Sequence, residues 1–373
     1  MIAEALRERG ARVRVIAAVE PRTDAARTAC GLYRGEVACP GTAPHGDVLV
    51  DCLFGSGLTR PLSADHLALL QDLARGHAFR VAIDVPSGID RDQGRPLNDG
   101  LPDWDLTVAL GAWKPAHCLM PACATMGELR LVEIGCDGVP GAATLLARPE
   151  LSAPAPYAHK YRRGLVTVVA GAMPGAARLA SHAAQGAGAG YIRLVQLHGG
   201  QASTEPSEAV PPDIVVGGYA LLADGRTGAV LVGPGLGRDD AARQRLVAAL
   251  DHGHPTVIDA DALVIVQPGD LASHAAPLIL TPHEGELASL EQAFGLPGEG
   301  TRLDRARALA AETRAVVIAK GPDTVIAAPD GRAACARRAT SWLSVAGTGD
   351  VLAGIAASRL AAHRDPFSAA CEA

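Results

Sequence analysis

The residues of this chain that could do chemistry gather in short glycine-rich loops. Gly347-Thr348-Gly349-Asp350 precedes the apolar run VLAGIAASRLAA, which predicts a buried helix beginning at or near Asp350. Glycines let backbone amides approach an anion and a helix start adds partial positive charge, so a phosphate is the expected guest. A carboxylate there can also take a proton from a substrate hydroxyl. Gly233-Pro-Gly-Leu-Gly237, Asp259-Ala-Asp261-Ala-Leu263, Thr281-Pro-His283-Glu-Gly-Glu286 and Lys320-Gly321 each end a short apolar block. Taken singly, these loops have plain explanations: a tight turn, a helix cap, a surface histidine, a solvated lysine. Together, and in this order, they make a site, because open α/β sheets place ligands outside the carboxyl ends of their strands.

Two further loops stand in the first half. Asp51 opens DCLFGSGLTRP, which runs to Pro61, and Asp84 opens DVPSGID, with Ser87 close behind. A carboxylate and a hydroxyl are hard oxygen ligands, while Gly55, Gly57 and Thr59 could cradle a phosphate. A strand-end aspartate that caps the next turn explains either loop alone.

The elements that must position these loops are legible as apolar blocks of strand length. VRVIA (13–17), DVLVDC (47–52), VAIDVP (81–86) and DLTVALG (105–111) recur between helical stretches such as 63–76. Continuous rather than alternating apolar runs mark strands buried on both faces of a parallel sheet, so the first part reads as βαβ units of a Rossmann-like, doubly wound sheet. ARPELSAPAP (147–156) has linker composition. After it the pattern restarts at Leu165, Tyr191, Asp213, Ala229, Thr256, Leu278 and Ala315, a second and larger α/β layer. TVIAAPDGRAACA (324–336) reads as a hairpin turning at Asp330-Gly331 in a type I′ turn. The expected organisation is a first domain over 1–146, a linker over 147–155 and a second domain over 156–373.

Composition bounds the function. A chain of 373 residues with 42 Gly and only 3% aromatic residues suits close helix-on-sheet packing and excludes a fibrous or disordered protein. The formal net charge of −6 offers no footprint for nucleic acid or an anionic membrane. Eight cysteines form no CxxC pair and imply a reducing compartment. His117, Cys118 and Cys123 are close in sequence, but no second pair stands at zinc-site spacing. No run approaches a membrane span and Met1 is followed by a charged stretch, so a cytoplasmic location is expected.

The order and wording of the second-half motifs resemble the carbohydrate-kinase-like domain of NAD(P)H-hydrate dehydratase. The likeness runs from His159-Lys160 through Gly164 to Gly171, Pro174-Gly-Ala-Ala177 and Gly186-Ala-Gly-Ala-Gly190 to GTGDVLAGI, nearly all of 156–373. It implies a ribokinase-like fold and conversion of the S epimer of hydrated NADH or NADPH to the intact cofactor, with ADP or ATP as phosphoryl donor and magnesium alongside. By that resemblance Lys320, Gly321, Pro322, Asp323, Thr324 and Gly349 contact the nucleotide. Ala187, Gly237, His283 and Asp350 contact the hydrate, and Asp350 is the base for its hydroxyl.

The two first-half loops are similar to those of the NAD(P)H-hydrate epimerase domain, which interconverts the R and S hydrates. The likeness implies Asp84 as catalytic acid/base, Asp51 and Ser87 as ligands of a potassium ion, and Gly55, Ser56, Gly57, Leu58, Thr59, Arg60 and Pro61, together with Asp84, around the substrate. That family begins with further helices and a first strand leading into an Asn-Asn-Gly-Gly-Asp loop that has no counterpart here, and the dehydratase family usually continues past the final AAHRDPFSAACEA. The expectation is therefore a domain lacking its start, a slightly short C-terminus, and little epimerase activity. Relatives self-associate, so a homo-oligomer is expected. A ribokinase-like kinase for a vitamin precursor shares GTGD and the fold, and a non-catalytic remnant that only binds nucleotide is the alternative of another class. TPHEGE, DADAL and the epimerase-like partner favour the repair enzyme.

Overall fold

In a computed structural model the chain forms two compact units, Met1–Gly138 and Val139–Ala373. The residues described are 1–18, 20–21, 24–38, 45–55, 57–136, 138, 143–196, 210–363 and 365–373. The division falls eight residues ahead of the boundary expected at 146.

The first unit runs α1 (Ile2–Glu8), β1 (Val15–Ile16), α2 (Asp24–Leu32), β2 (Val37–Ala38), β3 (Gly46–Asp51), α3 (Ala64–Arg75), β4 (His77–Ile83), β5 (Ile89–Asp90), β6 (Arg95–Pro96), β7 (Leu106–Leu110) and β8 (Glu128–Val132). Among the described residues β3-β4-β7-β8 form a four-stranded sheet with parallel pairing throughout. Helix α3 starts at Ser63, whose hydroxyl accepts from the His66 amide, and buries Leu70, Leu73 and Ala74. These pack with Leu49, Ala82 and Trp104 into one apolar cluster. The block VRVIA does not join this sheet. Its Val15 and Ile16 pair with Val37 and Ala38 in a separate two-stranded sheet, a choice of partner that strand periodicity does not encode.

The second unit contains β9 (Thr144–Leu145), β10 (Leu165–Val169), α4 (Pro174–Gly186), β11 (Tyr191–Val195), β12 (Ile214–Gly217), β13 (Ala229–Val232), α5 (Asp240–Asp251), β14 (Thr256–Ile258), α6 (Asp261–Ile265), α7 (Pro268–Ala272), β15 (Leu278–Leu280), α8 (Glu284–Ala293), α9 (Arg302–Thr313), β16 (Val316–Ala319), β17 (Val325–Ala327), β18 (Ala333–Cys335), α10 (Thr348–Ala362) and α11 (Pro366–Glu372). Among the described residues its sheet has the order β12-β11-β10-β13-β14-β15-β16-β17-β18-β9. From β12 to β16 the pairing is parallel, and β17 and β18 reverse it. All residues of β10, β13, β15 and β16 are buried, as the apolar blocks require of strands covered on both faces. The parallel strands therefore end on one rim.

The turn between β17 and β18 is not type I′. That turn needs positive φ at both central residues, and only Gly331, at 90°, has it. Instead the Ala328 amide donates to the Arg332 carbonyl across a three-residue loop that Pro329 enters, while Asp330 Oδ1 accepts from the Arg332 amide.

Helices α4 and α10 lie against each other through small residues. A Cβ on Gly354 would sit 2.2 Å from the Ala180 carbonyl oxygen, closer than any real contact allows. Gly354→Ala should therefore push the two backbones apart and cost about 1–3 kcal/mol, a fall in Tm of roughly 2–12 °C for a unit of this size. Gly269→Ala, where a Cβ meets nothing within 4 Å, should leave Tm unchanged or raise it slightly, so equal melting of the two variants would refute the packing argument.

Candidate active site

The rim of the second unit is organised around a buried ion pair. Lys320 follows β16, and its amide donates to the Pro282 carbonyl at 2.7 Å, tying two strand-end loops together. Its ammonium lies 2.7 Å from Asp259 Oδ1 and 3.8 Å from Glu286 Oε2. Asp259 is 1% exposed and also accepts the Thr281 hydroxyl at 2.6 Å. The glycine at 349 leaves room for this lysine, since a Cβ there would stand 3.3 Å from Nζ. Lys320 thus lies against the first turn of α10, where the left-handed Gly347 (φ 90°) starts the helix, and the amides of a helix start suit an anion.

Asp350, in that same first turn, is half-buried. Burial pushes its carboxyl above the ordinary aspartate range, the negative charge of Asp259 adds to the effect, and the Lys320 ammonium opposes it. A carboxyl held this way is a better proton acceptor than a solvated one.

The neighbouring loops divide into scaffolding and surface. A Cβ on Gly233 would fall 1.7 Å from the Asp259 carbonyl oxygen, so this glycine lets two strand ends touch. The Gly237 amide donates to Asp261 Oδ2 at 3.0 Å, and Arg238 Nε lies 2.8 Å from Asp261 Oδ1. His283 is exposed and caps α8: Nδ1 accepts from the amides of Gly285 and Glu286, while the Glu286 carboxylate accepts from the His283 amide. In the loop 320–324 the Thr324 hydroxyl closes onto the Gly321 carbonyl at 2.8 Å. Asp323, 4% exposed, faces Arg302, whose Nε is 3.0 Å from Oδ1, so its carboxylate belongs to the loop's scaffold.

Ala187 is not on this rim. It caps the far end of α4, and its carbonyl accepts from the Arg359 guanidinium in the last turn of α10. Just beyond it, the amides of Gly190 and Tyr191 donate to the Gly164 carbonyl, at the start of β10. A helix that runs back along its sheet carries its C-terminus to the opposite edge, which separates Ala187 from Gly237, His283 and Asp350. The start of α4 is what reaches the rim: a Cβ on Gly235 would stand 2.3 Å from the Met173 carbonyl oxygen and 3.1 Å from Ala176 Cβ. The PGAA that follows a strand was the available signal for these residues.

In the first unit the two loops do meet. Asp51, 4% exposed, accepts from the Ser87 amide and hydroxyl, both at 2.8 Å, and from the Leu53 amide at 3.0 Å. Burial pushes its carboxyl up, and the named partners are neutral donors. Asp84 holds a left-handed backbone (φ 68°), a costly conformation for a residue with a side chain. Its carboxylate pairs with the Lys114 ammonium, and its carbonyl accepts from His117 Nε2. Lys114 was missed in the sequence, although it follows β7 on the same side as the other strand-end loops. The ring nitrogens of His117 are engaged by the Lys114 amide and the Asp84 carbonyl, which leaves no lone pair for a metal. Gly55 and Gly57 open on empty space, and Leu58, Thr59, Arg60 and Pro61 are partly or fully exposed beside them. Ser56 lies outside the described residues. No group of three or more His, Cys, Asp or Glu side chains gathers for a metal among the described residues, and no helix there is long and apolar enough to cross a membrane.

The second unit, with its parallel sheet, its glycine-led helix start and the lysine beside it, has the ribokinase-like α/β fold. A ribokinase-like superfamily protein from Enterococcus faecalis matches it with a TM-score of 0.53 at 24% identity, covering 64% of this chain and 87% of its own. Residues 166–373 match the family model described as NAD(P)H-hydrate dehydratase, and residues 1–116 the YjeF-related protein N-terminus. The bifunctional NAD(P)H-hydrate repair enzyme Nnr of Mycobacterium tuberculosis is 35% identical over 367 residues, 95% of this chain and 74% of the relative. An ADP/ATP-dependent NAD(P)H-hydrate dehydratase from Bacillus subtilis, co-crystallized with ATP/Mg2+, is 29% identical with a TM-score of 0.49, covering 60% of this chain and 81% of its own. The chain belongs to the family of bifunctional NAD(P)H-hydrate repair enzymes.

Proposed function

We propose that the second unit repairs hydrated nicotinamide cofactor by nucleotide-dependent dehydration of the S hydrate of NADH or NADPH. The observation that carries this reading is that a proton-accepting carboxylate, Asp350, and the Lys320 ammonium, which lies against Gly349, both stand at the first turn of α10. The ring hydroxyl of the hydrate is a poor leaving group. Asp350 takes its proton as the oxygen attacks the terminal phosphorus of the donor, so that ADP becomes AMP. The phosphate ester then loses inorganic phosphate and a ring proton, which restores the ring double bond. Lys320 and the amides of Gly349 and Asp350 offset charge on the phosphoryl group in transit. Magnesium enters with the nucleotide and is held chiefly by its phosphates, as this cation prefers. Gly237 and His283 border the hydrate, and the loop from Lys320 through Gly321, Pro322, Asp323 and Thr324 borders the nucleotide together with Gly349.

The first unit supplies the epimerase-like site, with Asp84 as acid/base beside Lys114 and the loop from Gly55 to Pro61 around the substrate. Asp51 and Ser87 are the residues to hold a potassium ion. A buried carboxylate satisfied only by neutral donors gains from a cation, and this is what supports the assignment.

The test is absorbance in the reduced-nicotinamide band with S-hydrate, magnesium and either ADP or ATP. Recovery of reduced cofactor that requires nucleotide is expected, and bound nucleotide without product would overturn the reading. Because Asp350 must be ionised to act and its carboxyl titrates above the ordinary aspartate value of 3.8, kcat/KM should fall as pH drops through that raised value. An acid limb at or below 3.8 would remove the argument for its tuning. The same assay started from the R hydrate reads the first unit.

A further inference from the structure

The rim carries an aromatic side chain that the reaction as drawn does not use. β18 returns to the rim, where the Ala336 amide donates to the Thr324 carbonyl at 2.9 Å and the Ala339 amide to the Pro322 carbonyl at 2.8 Å. From there residues 340–347 cross to the start of α10. Within this crossing Trp342 is 87% exposed, Leu343 53% and Val345 65%. Single exposed apolar residues are ordinary, but three within four positions, beside a site built for phosphate, call for a cover.

The backbone beneath them is fixed. The Thr340 hydroxyl accepts from the Trp342 amide, the Ser344 amide donates to the Ser341 carbonyl at 3.0 Å, and the Thr348 hydroxyl binds the carbonyls of Leu343 and Val345 at 3.0 and 2.9 Å. The indole is thus held out on a pinned turn. Arg337 and Arg338, both exposed, add positive charge just ahead of this crossing.

We propose that Trp342 is the stacking platform for the adenine base of the phosphoryl donor. The assignment rests on the reading that the donor's phosphates lie between Lys320 and Gly349. It follows from the hydrogen bond of Ala339 to Pro322, which joins the crossing to the nucleotide loop rather than to the loops around Gly237 and His283. A flat indole next to a phosphate site suits a base, because stacking is tolerant of base identity and needs no further polar partner.

The chain has three tryptophans, and Trp104 and Trp113 lie in the first unit, so Trp342 is the sole indole of the second. Titration of the full chain with ADP, followed by tryptophan emission, should show a change that inorganic pyrophosphate does not reproduce and that Trp342→Phe lacks. Trp342→Ala should raise the Kd for ADP about 5- to 150-fold, the equivalent of the ~1–3 kcal/mol that a stacked base contributes, and Trp342→Phe should retain most of the affinity. Unchanged ADP affinity in Trp342→Ala would overturn the proposal. So would a loss confined to hydrate binding, or a change only in oligomeric mass, which would mark the patch as a seat for a second copy. Binding is read without turnover, so ADP held through Trp342 in a chain that forms no NADH would support the platform and sink the dehydratase reading alone.

Discussion

Replacing Asp350 with asparagine should reduce dehydratase kcat by about 10²- to 10⁴-fold, the usual contribution of a positioned general base, with ADP still bound. The substitution nearly preserves size, and the carboxyl it removes is one that burial and Asp259 already press toward neutrality. The folded state therefore loses little, and Tm should hold or rise slightly. This separates a chemical role from a structural one. An Asp350→Asn chain that melts early and loses turnover in proportion would assign the residue to the scaffold. One that turns over like the parent would remove it from the mechanism.

Lys320→Met should act on both stability and rate. Lys320 is 16% exposed and Asp259 1%, so removing the ammonium leaves a buried carboxylate with the Thr281 hydroxyl and, among the described residues, no cation at contact distance. Breaking a buried pair from one side typically costs about 3–5 kcal/mol, and losing a charge aimed at the reacting group costs about 10²- to 10³-fold in kcat. The residual activity should carry a signature of its own. The ammonium lowers the carboxyl of Asp350, so its removal should move the acid limb of the pH profile upward. If Lys320→Met lowered turnover with the acid limb in its original place, the lysine would not be sensed by Asp350, and the geometry of the pair would need another explanation.

The strands of the second unit were legible because burial on both faces leaves runs that are almost wholly apolar: LVTVV, with a single buried threonine, AVLV and VVIA are strands for that reason. The rim loops were legible because they end those strands. What could not be read depends on contacts distant in sequence or on direction. Val15 and Ile16 are apolar enough for any strand, and only folding selects Val37 and Ala38 as partners. The glycine-rich 186–190 resembles a ligand loop, yet the 13 residues of α4 carry it to the other edge of the sheet. Arg302 stands 21 positions before Asp323, so no local pattern announces that this aspartate is spoken for. Lys114 and Ala176 had the same strand-end signal as the loops that were recognised, in less conspicuous wording.

The contact of Gly354 with the Ala180 carbonyl also has a mechanical meaning. Helices usually meet through side chains, whose rotamers can yield and let one helix slide on its neighbour. Here backbone meets backbone, and the side chain nearest that point, the Ala183 methyl, has no rotamer with which to yield. The two helices behave as a single beam whose rim end carries both Met173 and Asp350. Any accommodation of a ligand must then come from the crossing at 340–347, from the strand-end loops or from the ligand itself, while the carboxylate keeps its address.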